Sequence, residues 1–236
     1  MIADSDSSFD TLRDAILRGV AHAVSNRVAA LGGIAGVVDP GQIWTEKMSH
    51  LLHGEAKRLE DILRLLRLIP SDERAQPGAI ELQALIPDVV ALHAFNSALL
   101  QVECAVEYDR ETMPVFGNRL RLVHTLLVII DVAKRHAQRT GGRVAIRYSG
   151  DGESVIISVA TEPSATPRAS AALPVDSSMN LPAIELALRA SVARVGGDPV
   201  LRITAEGREM CIALTVPTLA AGRRSERAAA GAPPAA

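Results

Sequence analysis

Two consecutive apolar patterns of helical period open this chain, and the Asp39-Pro40-Gly41 break between them makes a helical hairpin the simplest fold they can share. Leu12, Ile16, Val20, Val24, Val28, Leu31, Ala35 and Val38 recur at spacings of three and four, one stripe of an amphipathic helix from about Phe9 to Val38. Trp44, Met48, Leu52, Glu55, Leu59, Ile62, Leu66 and Ile69 follow near heptad spacing from about Ile43 until Pro70 stops them. Two long antiparallel helices own only a stripe of core, with nothing thick enough to cover it. Pairing with a second copy as a four-helix bundle covers it, so the hairpin predicts a homodimer.

Beyond residue 70 the pattern changes. Residues 71–79 carry charges, Pro77 and Gly78 and read as a linker. A helix from about Leu82 to Leu99 precedes the strand-like segment Val102–Tyr108, and a second helix from about Asn118 to Gln138 ends at Thr140-Gly141-Gly142. Arg143–Tyr148 and Ser154–Ala160, separated by Gly150-Asp151-Gly152, have the alternation and turn chemistry of a hairpin. Thr161–Ser178 reads as a loop and Asn180–Val195 as a helix closed by Gly196-Gly197; Val200–Thr204 and Glu209–Val216 supply a last hairpin. Strands in antiparallel pairs with helices on one face predict an α/β two-layer sandwich over residues 80–217. The fold class is therefore α+β, a helical hairpin over 9–70 followed by a sandwich. Residues 1–8 are expected to be flexible, and the Ala/Pro-rich tail of 218–236 to be disordered.

With 236 residues, 48% of them hydrophobic, the chain can bury one or two proper cores. Its 25 basic and 27 acidic residues leave a net charge of −2, so no global field draws it to nucleic acid or to an anionic membrane. Cys104 and Cys211 are too few and too far apart for a disulfide framework or metal cluster, and Met1-Ile2-Ala3-Asp4-Ser5-Asp6 lacks the order of a signal peptide. No uncharged apolar run approaches the roughly 18–20 residues that span a bilayer. A reducing cytoplasm is the expected location.

His22 departs from the hairpin's packing pattern. At about 100° per residue it lies roughly 160–200° from Val20 and Val24, among Arg18, Ser25 and Asn26, so the imidazole faces water. Taken alone, such a residue reads as a solvated surface histidine. Arg18 precedes it by one turn and Asn26 follows by one turn, and taken alone both read as ordinary solvated helix residues. His50 and His53 read as surface or bundle-edge residues, and His93, His124 and His136 take no role.

The order of these parts, with the stretch around His22 and Asn26, Val195-Gly196-Gly197, and the closing run from Met210 to Pro217, resembles the phosphoacceptor and ATP-binding core of bacterial sensor histidine kinases over roughly Phe9–Pro217. The departures point further. Ala23 stands where that family carries an acidic general base beside its phosphoacceptor histidine. Leu126 and Ile130, or their neighbours, stand where asparagines would hold Mg²⁺ and phosphates, and apolar side chains cannot ligate a hard cation. Asp131, the one oxygen donor nearby, reads as an exposed helix carboxylate. The glycine-rich nucleotide loops are replaced by Val159–Ser164 and Ser178–Pro182, without the glycines that let backbone cradle a phosphate.

A phosphoacceptor histidine without nucleotide machinery resembles the bacterial phosphorelay histidine phosphotransferases, of the ChpT-like and sporulation-phosphotransferase-like kinds. That resemblance implies that His22 shuttles a phosphoryl group between receiver-domain aspartates, with Arg18, Ser25 and Asn26 around it. It further implies no cofactor bound by this chain, Mg²⁺ being supplied by the receiver, and as partners a second copy, response-regulator receiver domains and a hybrid kinase. A pseudokinase-like dimeric scaffold and a divergent ATP-dependent sensor histidine kinase are the alternative expectations.

Overall fold

The computed structural model describes residues 3–36, 45–69, 76–108, 112–163, 181–193, 195, 200–206 and 209–231. Two helices come first, α1 (Ala3–Gly36) and α2 (Glu46–Leu66). Helix propagation is cheap once a turn exists, and α1 begins at Ala3 instead of near Phe9, within a segment expected to be flexible. At the start of α2, the Thr45 hydroxyl accepts the Met48 amide hydrogen at 3.3 Å. The Asp39-Pro40-Gly41 break lies outside the described residues.

The stripe on α1 divides in two. Leu12, Ile16 and Val20 are buried, and with Ile62, Leu65 and Leu68 they join the core of the sandwich that follows. Farther along, Val24 and Leu31 are half-buried, Ala35 is exposed, and Val28 is 56% exposed. The first half of the α1 stripe is thus covered by this chain itself, while Leu17 and Leu63 beside it stay exposed. Burying the covered side chains contributes about 1.5–3 kcal/mol each, enough to bind hairpin and sandwich together.

The sandwich is built on a five-stranded sheet of order β2-β4-β5-β7-β6, from β2 (Cys104–Tyr108), β4 (Gly142–Gly150), β5 (Ser154–Pro163), β6 (Val200–Glu206) and β7 (Glu209–Pro217). Against the expectation of antiparallel pairs only, β2 runs parallel to β4, from Cys104 opposite Val144 to Tyr108 opposite Tyr148. The cause is the connection: α4 (Arg119–Thr140) lies between those strands in sequence, and a helical crossover returns the chain in the same direction. Asn118 caps α4 by accepting the Arg121 amide hydrogen, and Gly141 ends it with φ 74°, a left-handed conformation that favours glycine. Val144, Ile146, Val155, Ile157, Ile212 and Leu214 point from the sheet toward the helices and are fully buried.

The remaining elements depart from expectation at short range. The helix expected over 82–99 is α3 (Leu82–His93) plus one 3-10 turn, Ser97–Leu99, because the chain tightens after His93 into bonds from Phe95 N to Leu92 O and from Asn96 N to His93 O. Two three-residue strands, β1 (Gly78–Ile80) and β3 (Val115–Gly117), form a small antiparallel ladder, so the linker is shorter than expected. Helix α5 (Leu181–Val192) packs on α4, and the Asn118 amide donates to the carbonyl of Val195 just beyond α5.

The tail expected to be disordered instead forms α6 (Leu219–Gly231). Its residues are mostly good helix formers, and its start is anchored. Thr218 donates to Gly152 O at 2.8 Å and accepts the Ala221 amide, while Leu219 N donates to Pro114 O. Gly222 lies flat on the Phe116 ring, where an added Cβ would come within 2.4 Å.

Candidate functional site

On α1, His22 is exposed, as its position on the polar face requires. Asn26, one turn on, holds its amide Nδ2 3.2 Å from His22 Nε2. An amide nitrogen only donates, so in this orientation Nε2 offers its lone pair and the ring proton sits on Nδ1. Arg18, one turn before, is also exposed. Ser25 does not join them: its hydroxyl donates to its own helix at Ala21 O, 2.9 Å away. The exposed face of α1 therefore brings His22 and Asn26 into contact, with Arg18 exposed one turn before them.

Ala23 turns the other way. It is half-buried and packs against the core. A carboxylate there would be desolvated against apolar neighbours, which gives a physical reason for a small apolar residue beside the histidine. Farther along the hairpin, Arg27 reaches across to α2 and donates to Glu55 at 3.1 Å, and Arg58 contacts the same carboxylate. The Arg27 hydrogen bond holds the Glu55 carboxyl below its usual range. This pair joins the two helices beyond the part that the sandwich covers.

Asp131 corrects an expectation. It is buried, not exposed, with 8% of its surface accessible. Its carboxylate faces His93 Nε2 at 3.4 Å, accepts from Asn96 Nδ2 at 3.2 Å, and pairs with Arg135 Nε at 2.6 Å. Burial pulls this carboxyl up, yet His93 and Arg135 together outweigh it and hold it below the usual range. His93, to which the sequence assigned nothing, has no exposed surface; burial pushes its pKa down against the pull of Asp131, and Nδ1 finds no hydrogen-bond partner among the described residues. The signal lay in polar residues spaced at helical intervals, Asp131 and Arg135 on α4 with His93 and Asn96 at the end of α3.

Leu126 and Ile130 project from α4 into the core at 2% and 1% exposure. Thr125 is buried beside them, its hydroxyl 2.9 Å from that of Ser191 on α5. Residues 159–163, standing where the resembled kinases carry a glycine-rich turn, continue β5, while 164–180 lie outside the described residues. Among the described residues no group of three or more His, Cys, Asp or Glu side chains is arranged to hold a metal ion, and no helix is long and apolar enough to cross a membrane.

No family model matches the chain. In sequence it is similar to sporulation kinase A of Bacillus subtilis strain 168, 26% identical over 145 residues that make up 61% of this chain and 24% of that kinase. The chain thus matches about a quarter of that relative's length. Among solved structures it is similar to the histidine kinase AdeS of Acinetobacter baumannii, with 17% identity, 84% and 98% of the two chains covered and a TM-score of 0.44. A bacterial phosphotransferase solved at 1.7 Å is similar at 14% identity over 86% and 95% of the chains, with a TM-score of 0.41.

Proposed function

We propose that this histidine-kinase-related chain is a phosphorelay histidine phosphotransferase in which His22 carries the phosphoryl group. The observation that carries this reading is the exposed His22 ring with Asn26 on Nε2, next to an Ala23 that packs inward. Nε2 attacks the phosphorus of an aspartyl phosphate on a receiver domain. The N–P bond forms while the P–O bond to the aspartate breaks, its electron pair returning to the carboxylate. Attack by a second receiver's aspartate on phospho-His22 reverses these changes and returns the lone pair to Nε2. The Asn26 amide, released from Nε2 as the bond forms, donates to a phosphoryl oxygen, and Arg18 draws the acidic partner.

This reading asks little of the chain beyond placing a nucleophile. Charge on the transferring group is neutralised mainly by Mg²⁺ held in the receiver. Independence from ATP is supported by the apolar, core-packed Leu126 and Ile130 and by the strand over residues 159–163. The exposed Val28, Leu51 and Leu52 on the far half of the hairpin support a second copy as partner. The sequence similarity to sporulation kinase A favours a second reading, a divergent ATP-dependent kinase.

Incubation with receiver domains charged by acetyl phosphate, and separately with labelled ATP and Mg²⁺, each repeated with His22→Ala, decides among them. The phosphotransferase reading expects phosphohistidine from the receiver, none from ATP, and none in the variant. Label from ATP alone makes the chain a kinase, and no label from either source makes it a scaffold.

A further inference from the structure

The face of α1 beside His22 is where the hairpin meets the sandwich. A Cβ on Gly19 would lie 1.9 Å from the carbonyl oxygen of Phe95, so the α1 backbone rests directly on the turn that follows α3, and glycine alone fits without displacement. Ala23 continues this seat one turn on, half-buried against the core together with Phe95. The turn is pinned from its other side: Asn96 Nδ2 donates to Asp131 at 3.2 Å, and Gln138 Nε2 donates to Ala98 O at 3.2 Å. A second tie runs from α2 to α3, where Arg64 pairs with Asp88 at 2.5 Å. Residues three apart are neighbours on a helix, so His22 borders the seat that Gly19 makes.

We propose that Gly19 is a positioning residue: by seating α1 on the Phe95 turn it fixes the sandwich beside His22 as an immobile second wall of the surface on which an aspartyl-phosphate protein docks. This rests on the phosphotransferase reading and adds a division of labour to it. Asn26 and Arg18 act on the phosphoryl group and its charge, whereas Gly19 sets the angle at which a protein partner meets Nε2. A small phosphodonor, which needs no docking wall, is indifferent to that angle.

The test uses the full chain with Cys104→Ala and Cys211→Ala, spin-labelled at Lys57→Cys on α2 and Ser149→Cys on β4, both exposed, and diluted with unlabelled protein. Pulsed electron resonance reads the distance between hairpin and sandwich, and mass spectrometry reads phosphorylation of His22 by an acetyl-phosphate-charged receiver and by phosphoramidate. The proposal expects one narrow distance in the parent. In Gly19→Leu it expects a broadened distance and receiver transfer slowed about 10- to 100-fold, with charging by phosphoramidate unchanged. Gly19→Ala is expected to move both readouts in the same direction by less, and carries the test if the larger variant fails to fold. An unchanged distance, an unchanged receiver rate, or equal slowing with phosphoramidate overturns the proposal. A parent chain that accepts nothing from a receiver overturns the phosphotransferase reading, and the positioning role with it, even where Gly19→Leu broadens the distance.

Discussion

His93 is the residue whose surroundings make a definite claim about pH. It is wholly buried, and burial lowers its pKa from the ordinary 6.5 despite the neighbouring Asp131 carboxylate. In the window between that ordinary value and the lowered folded one, the unfolded chain binds a proton that the folded chain does not. Stability therefore rises with pH there, is fully present above about 6.5, and is lost as pH falls through the folded value. Asp131, also lowered, adds a loss only below its ordinary 3.8. Urea midpoints are expected to fall as pH drops below 6.5, and His93→Gln, which keeps a donor for Asp131 but does not titrate, should flatten that fall. Equal slopes in the two proteins would remove His93 as the cause. The helical spacing of Asp131 and Arg135 was visible in the sequence, but the burial of His93 against them was not, because helical period places Asp131 on a face without saying what packs on that face. The exposure of His22 was legible for the opposite reason: a position facing water needs no knowledge of the rest of the fold.

At the level of elements, legibility followed length and local chemistry. The hairpin β4–β5 announced itself through Gly150-Asp151-Gly152, where Asp151 accepts from the Glu153 and Ser154 amides and Gly152 takes φ 91°. The parallel pairing of β2 did not, since direction is decided by the crossover and not by the strand's own residues. Strands β1 and β3, three residues each, are too short for alternation to register. Helix α6 was hidden by composition: Ala-rich sequence reads as coreless until something is there to receive it, and what receives it is Phe116. Gly222→Leu, which forces side-chain atoms into that ring, is expected to destabilise by about 1–3 kcal/mol in urea unfolding. Arg223→Ala, at an exposed site on the same helix, should stay within about 0.5 kcal/mol. Equal effects would mean that α6 does not bear on Phe116.

For the whole molecule, the division of the α1 stripe separates folding from association. If a partner copy were needed to cover Leu12, Ile16 and Val20, a monomer would expose them and lose structure; here the chain's own sandwich buries them. What remains uncovered includes the far half, where Val28 is 56% exposed, Leu51 51% and Leu52 38%, together with Leu17 and Leu63 nearer the sandwich. That half is joined within the chain by Arg27 and Glu55, an ion pair that fixes the two helices against each other but hides no large apolar area. A second copy laid along it removes Val28, Leu51 and Leu52 from water without disturbing the seat at Gly19. Sedimentation at micromolar concentration is accordingly expected to give a dimer, and Val28→Glu with Leu51→Glu to give a monomer. That monomer should keep the parent's helical circular dichroism, since the residues that hold hairpin to sandwich are untouched. A double variant that dissociates and unfolds together would mean that the interface, and not the sandwich, holds the hairpin in shape. A variant that stays dimeric would place the second copy on another face.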